Sequence, residues 1–215
     1  MNTKILCSWS GGKDSCFALM IAVSQGYEPV VLLNMMNENG KVSRSHGLST
    51  YLLDLQAEAI GLPIKKVPAT WGEYEEKYIK ALKELTLRYE LHAAVYGDID
   101  LQPHREWEEK VCNAAGVEAI LPIWQRNRKE LVLQMIKKGI KAVIVSCNTK
   151  MGQKYLGREI TETLIDELEA MGIDACGENG EYHTVVLDCP LFSKPIELPS
   201  YVKKTYKEYC FLTWE

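Results

Sequence analysis

At 215 residues, nearly half of them apolar and a quarter charged, the chain has the balance of a globular enzyme, with room for a main domain and a smaller companion. A net charge of −4 argues against a broad nucleic-acid surface, which needs a basic stripe; the one dense basic cluster, Lys203-Lys204-Thr205-Tyr206-Lys207, reads as a solvated face. No apolar run approaches the roughly 20 residues of a membrane span, no signal-peptide stretch opens the chain, and seven scattered cysteines without C-x-x-C spacing suggest neither a disulfide framework nor a zinc site, so a reduced, cytoplasmic setting is expected.

The first predicted element is the short strand Ile5-Leu6-Cys7, which runs into Ser10-Gly11-Gly12-Lys13-Asp14-Ser15. From Lys13 onward Cys16, Leu19, Met20 and Val23 recur at helical spacing until Gly26. Successive glycines between strand and helix allow a sharp turn and leave N–H groups unpaired at the positive end of the helix dipole, a place for phosphate. Ser10 and Ser15 add hydroxyls, Lys13 a mobile positive charge, and Asp14 a carboxylate able to hold Mg2+ through water. Capping accounts for one serine, but not for two glycines, a lysine and an aspartate together. The loop is no Walker A sequence, because Ser8 stands where that pattern needs Gly and Asp14 follows the lysine.

Val30 to Met35 reads as a second strand, buried on both faces. A polar loop follows, with Asn34, Asn37, Glu38, Asn39-Gly40 and Ser43-Arg44-Ser45-His46-Gly47. Leu52, Leu55 and Ala59 mark a helix, and Ile64 to Val67 a third strand. Trp71, Tyr74, Tyr78, Leu82, Leu85 and Tyr89 trace one helical face, an aromatic stripe read as core. Ala93 to Tyr96 is the fourth strand, Trp107, Val111 and Ala114 the next helix, and Val117 to Leu121 the fifth strand. Such alternation predicts an α/β fold: a Rossmann-like, five-stranded parallel sheet over residues 1–121, with a smaller C-terminal α/β unit over 122–215. The loops after strands one, two and four should then converge on one edge. There Arg44 either contacts phosphate or adenine or lies in a solvated loop, and His46 taken singly reads as a cap for the following helix. Gly97 permits close approach of a nucleotide, and Asp98 is placed to hold Mg2+ or orient a substrate amine. Arg105 is a phosphate fork or a partner for Glu108 or Glu109.

In the second unit Leu131 and Met135 outline a helix, Ala142 to Val145 a strand, and Ile160, Leu164, Leu168 and Met171 another helix. Gly177-Glu178-Asn179-Gly180-Glu181-Tyr182-His183-Thr184 then leads into Val185-Val186-Leu187. This is either a hairpin turn with charges facing solvent or a polar pocket at the mouth of a strand. Pro190 to Pro199 reads as extended edge segments, and Tyr209 to Trp214 as a last strand.

Ser10 to Ser15 resembles the PP-loop, S-G-G-x-D-S, of the HUP-type adenine-nucleotide α-hydrolase superfamily. With Asn37 to Leu48, Gly97-Asp98-Ile99, Leu121-Pro122-Ile123-Trp124 and Gly177 to Thr184 in this order, essentially the full chain is similar to diphthine–ammonia ligases. The resemblance implies an enzyme that uses ATP and ammonium to amidate diphthine, a modified histidine of elongation factor two. It implies that Ser10, Gly11, Gly12, Lys13, Asp14, Ser15, Arg44, His46 and Gly97 bind ATP, with Lys13, Asp14 and Asp98 catalytic and Mg2+ on Asp14 and Asp98. The carboxylate would be adenylated, and ammonia would then displace AMP; no Cys–His glutaminase arrangement is evident, so free ammonium is the expected donor. Glu178, Asn179, Glu181, Tyr182, His183 and Thr184 would bind the acceptor, with Glu178, Glu181 and the Tyr182 ring meeting its trimethylammonium. Two rivals are a PP-loop sulfur transferase acting on tRNA, which needs a cysteine pair and a basic surface, and a non-catalytic ATP-binding module, which has no need of the Gly177 to Thr184 pocket. A homodimer is compatible with the sequence.

Overall fold

Residues 3–214 are described by the computed structural model. The first half alternates strictly: β1 (Lys4–Ser8), α1 (Lys13–Ser24), β2 (Glu28–Met36), α2 (Thr50–Ile60), β3 (Ile64–Pro68), α3 (Tyr74–Tyr89), β4 (Ala93–Val95), α4 (Gln102–Ala115) and β5 (Glu118–Ile120). The strands pair in parallel in the order β3-β2-β1-β4-β5. Side chains alternate across a strand, and β1 shows the result. Ile5 and Cys7 enter the larger apolar cluster with Leu19 and Leu52, whereas Leu6 enters a second cluster with Leu82 and Val111. The order reverses at β1, so the crevice between the β1 and β4 loops is the place where such sheets bind ligands.

The second half comprises α5 (Arg128–Lys137), β6 (Lys141–Asn148), α6 (Glu162–Ala170), β7 (Tyr182–Asp188), β8 (Tyr201–Tyr206) and β9 (Tyr209–Trp214). Its sheet is antiparallel, in the order β7-β6-β9-β8. The basic cluster is exposed throughout, as a solvated face: Lys203 to Tyr206 form most of β8, an edge strand, and Lys207 with φ 52° helps turn the chain into β9. One expectation needs correction here. Pro190 to Pro199 forms no strand, as prolines without a free N–H would lead one to expect.

The aromatic stripe is also split. Tyr78, Leu82 and Leu85 are buried as core, but Trp71 precedes α3 and is 74 % exposed. The first sheet ends at Ile120 and the second begins at Lys141, yet one apolar cluster runs through both and joins Leu19 and Leu52 to Val185 and Val186. At the seam, the Val186 N–H donates to the Gly11 carbonyl at 2.9 Å. No helix among the described residues is long and apolar enough to cross a membrane.

Candidate active site

A cavity of about 760 Å3 opens at the carboxyl edge of the first sheet, walled by the glycine loop, the β2–α2 loop, the β4–α4 loop and residues 176–184. Gly11 has φ +84°, and a Cβ there would stand 2.4 Å from Leu48 Cδ1 and 2.7 Å from Gln56 Oε1, so only glycine fits. Ser10 and Ser15 share a hydroxyl hydrogen bond of 2.9 Å. Two amides expected to stand free for phosphate are held by hydroxyls instead: the Gly12 N–H by Ser10 Oγ at 3.2 Å and the Lys13 N–H by Thr184 Oγ1 at 3.1 Å.

Lys13 is not the mobile charge the sequence suggests. It is buried, donates to Asp14 Oδ2 at 2.9 Å and to the Cys176 carbonyl at 2.5 Å, and lies 5.1 Å from the centre of the Tyr182 ring. Burial disfavours its ammonium, but Asp14, Tyr182, Cys176 and Glu178 more than offset this and hold it above the usual lysine range. Asp14 keeps its second oxygen, Oδ1, buried without a donor. An anionic oxygen left this way fits a cation. Among the described residues no group of three or more His, Cys, Asp or Glu side chains forms a metal cage. Mg2+ at this place would therefore use Asp14 together with phosphate oxygens and water, its usual habit.

Asp98 is differently engaged from what the sequence suggests. It accepts from His104 Nδ1 at 2.6 Å. Burial alone would raise its pKa, but the His104 and Glu108 hydrogen bonds hold it below the usual carboxylate range. Glu108 is 3 % exposed, and burial with the adjoining Asp98 pushes its carboxyl up to about 11. Gly97 is required by the protein itself, because a Cβ there would come within 2.6 Å of the Ser15 amide nitrogen. Arg105 takes the helix-pair alternative, donating to Glu109 at 2.7 Å.

Arg44 lines the cavity with its side chain 8 % exposed, donates to the Ala69 carbonyl and lies 4.6 Å from the Trp71 ring centre, so it is not in a solvated loop. His46 does not cap α2; Ser49 does, accepting from Leu52 N. The His46 ring packs on Gly12 with Nδ1 2.8 Å from the Thr184 carbonyl.

The segment from Gly177 to Thr184 meets the glycine loop, but its side chains divide. Glu178, Tyr182, His183 and Thr184 line the cavity. Glu178 is half-buried, and burial with repulsion from Asp14 pushes its carboxyl up to about 8 despite Lys13. Glu181, expected on the acceptor, braces the turn: its carboxylate accepts from Asp174 N, Asn179 N and Asn179 Nδ2 at 3.3, 3.0 and 3.1 Å. Asn179 is held in that brace as well. The Tyr182 ring faces Lys13 rather than open space, and its hydroxyl donates to the Ala175 carbonyl at 2.6 Å.

Two residues that hold the site were not singled out from sequence. Gln56 is fully buried and donates from Nε2 to the Gly11 and Val186 carbonyls at 2.9 and 2.8 Å, while Oε1 accepts from Trp9 Nε1 at 2.9 Å. Arg128 grips Asp100 with two hydrogen bonds of 2.8 and 2.6 Å and reaches Asp174 at 3.0 Å, joining the β4–α4 loop to the turn before β7. A lone glutamine on a buried helix face is the only sequence signal for the first. Asn127, which accepts from Glu130 N as the cap of α5, marks where the second is placed.

A glycine-rich strand-to-helix loop at the reversal point of a parallel sheet, with a buried lysine and an unsatisfied carboxylate, defines an α/β nucleotide-using enzyme of the PP-loop kind. Residues 3–119 match the family description "Diphthamide synthase N-terminal domain" and residues 127–215 "Diphthamide synthase C-terminal domain"; the chain belongs to the diphthamide synthase family, whose members are ATP-using carbon–nitrogen ligases. It is 31 % identical to diphthine–ammonia ligase of Mus musculus and to that of Homo sapiens, in each case over 89 % of this chain and 81 % of the relative. The relative from Schizosaccharomyces pombe is 32 % identical over 97 % of this chain, which spans 38 % of that longer protein. Among solved structures, a predicted subunit of tRNA methyltransferase from Methanocaldococcus jannaschii superposes with a TM-score of 0.47 at 18 % identity, covering 88 % of this chain and 98 % of that one.

Proposed function

We propose that this ligase adenylates the carboxylate of diphthine on elongation factor two and amidates it with ammonium, releasing AMP and pyrophosphate. The observation that carries the reading is a single cavity bounded on one side by Ser10 to Ser15 and on the other by Glu178 to Thr184, with Thr184 bonded to the Lys13 amide. The hydroxyls on the loop amides occupy the place of phosphate oxygens and give way to them. Lys13, already charged and fixed, faces the pyrophosphate that leaves as the acceptor carboxylate attacks the α-phosphorus. Mg2+ held by Asp14 would add further neutralisation there. Neither displacement needs an enzyme nucleophile, so positioning dominates. Of the carboxylates expected on the acceptor's fixed cation, Glu178 is the one in the cavity wall, and a quaternary ammonium beside it would favour its ionised form. Seven free, buried cysteines agree with a reduced, cytoplasmic setting.

Incubation with ATP, Mg2+, ammonium and elongation factor two bearing diphthine tests the reading. AMP, pyrophosphate and amidated factor are expected; ADP and phosphate as products would refute adenylation. Glu178→Gln should raise the acceptor KM strongly while nucleotide affinity stays near that of the wild type.

A further inference from the structure

The amidation chemistry leaves two histidines beside the glycine loop without a role. His46, from the β2–α2 loop, and His183, from β7, lie with ring centroids 4.7 Å apart and planes tilted by 39°. Both rings are half-buried in the wall of the cavity that also contains Ser10 and Lys13. His46 is seated so closely on the loop that a methyl group on Gly12 would come within 2.4 Å of its Cε1. Its Nδ1 faces a carbonyl oxygen, which only accepts, so in the neutral ring Nδ1 carries the hydrogen and Nε2 keeps its lone pair.

Among the described residues neither ring has a carboxylate partner, in contrast to His104 with Asp98. The charged groups that act on the pair are Lys13, on both rings, and Asp14, on His183. From β9 the Trp214 indole reaches this loop, its Nε1 donating to the Gly47 carbonyl. Burial and the Lys13 charge push His46 down to about 4, against the Thr184 bond; burial, His46 and Lys13 push His183 down to about 3. Two neutral imidazoles thus stand beside a site built for a polyanion. The incoming charge of a polyphosphate reverses the balance, because a nearby anion favours imidazolium.

We propose that His46 and His183 form the proton-bearing part of the phosphate site, taking one proton from solvent when ATP binds and giving it to pyrophosphate as that group leaves. The inference rests on ATP occupying the Ser10 to Ser15 loop. In the step, the acceptor carboxylate oxygen bonds to the α-phosphorus and the bond to the bridging oxygen breaks. The freed electron pair stays on that oxygen, and the imidazolium proton is transferred to the pyrophosphate. The ring returns to neutral. A permanent second cation beside Lys13 would hold pyrophosphate as tightly as ATP; a proton that departs with the product loosens its grip.

The chain has four histidines, so their ring nitrogens can be assigned in 15N spectra with His46→Gln and His183→Gln as references. In the free protein at neutral pH, both rings should show the unequal nitrogen shifts of neutral imidazole. Saturation with Mg2+ and α,β-methylene-ATP should convert one of them to imidazolium. Calorimetry in buffers of differing ionisation heat should show the matching proton uptake, and affinity should fall by up to about tenfold per pH unit as pH rises between the free-state and bound-state pKa values, levelling off above the latter. The His46→Gln/His183→Gln double variant should lose that slope apart from the nucleotide's own titration. Nucleotide bound at saturation with both rings still neutral would overturn the inference while leaving the amidation reading intact. No nucleotide binding at all would overturn the two together. Products other than AMP and pyrophosphate, even with proton uptake present, would overturn both the adenylation reading and the transfer of the proton to pyrophosphate.

Discussion

Glu108 retains its proton because it is sealed under the cavity floor beside Asp98, where a second negative charge has no compensation. Its folded-state pKa is raised, so its contribution is full below the unfolded value near 4.5 and is lost as pH rises toward about 11. Wild-type stability should therefore fall between pH 6 and pH 9, by up to about 1.4 kcal/mol per pH unit from this group. Glu108→Gln keeps a donor for Asp98 and removes the titration, so its urea midpoint should vary less over that range; equal slopes in the two proteins would show Glu108 ionised in the fold. Lys13 is tested differently. Lys13→Ala should slow AMP release by about 10²–10³ through lost charge neutralisation. It also leaves Asp14 and the Cys176 carbonyl without their donor, which costs stability on the order of 1–3 kcal/mol. Acceptor-dependent AMP release at the wild-type rate would remove Lys13 from the chemistry.

Elements, not single residues, bring the acceptor side to the nucleotide side, and Arg128 at the start of α5 is their tie. Arg128→Ala frees Asp100 and Asp174, and Asp174 orders the turn by accepting from Cys176 N and Glu178 N at 2.9 and 3.1 Å. The expected result is an acceptor KM raised severalfold with ATP affinity changed less than about twofold, since a positioning contact of this exposure contributes about 1 kcal/mol. Equal losses in both constants would mean that the tie supports the whole cavity. The periodicity of the first half made its elements legible, because a parallel sheet leaves continuous apolar strands and striped helices. The strand-to-helix loop was legible too, since Gly11 and Gly12 have no other local use. What pattern reading lacks is the partner from far along the chain. His46 reads as a cap until Thr184, on β7, is beside it, and Tyr182 reads as an open aromatic face until Lys13 is beneath it. Glu181 reads as a binding carboxylate because its spacing does not reveal that three donors from its own turn converge on it. The edge strand β8 was missed because its alternation has no buried face to reveal it.

For the whole molecule, the question is whether the two sheets are separable. The expected division at 121/122 falls in a connecting segment, and each sheet is built from one side of it alone. The packing opposes separation. Gly11 receives the Val186 N–H, Gln56 bridges the Gly11 and Val186 carbonyls, and Val185, Val186 and Leu131 share one apolar cluster with Leu19 and Leu52. Removing residues 122–215 would uncover apolar side chains on the α1 and α2 side and leave the Gln56 amide half-satisfied. At about 1.5–3 kcal/mol for each large side chain exposed, a few such losses consume the roughly 5–15 kcal/mol by which a domain is stable. The glycine loop would lose its backing from β7 at the same time, including the Thr184 hydroxyl on the Lys13 amide. A fragment of residues 1–121 should accordingly show no cooperative thermal transition and no ATP binding by calorimetry. The full chain should melt in one transition that Mg2+–ATP raises, by about 2.7 kcal/mol of added stability at a hundredfold excess over Kd. A fragment that melts cooperatively and binds ATP like the full chain would establish the first sheet as an independent domain, with the second sheet serving the acceptor alone.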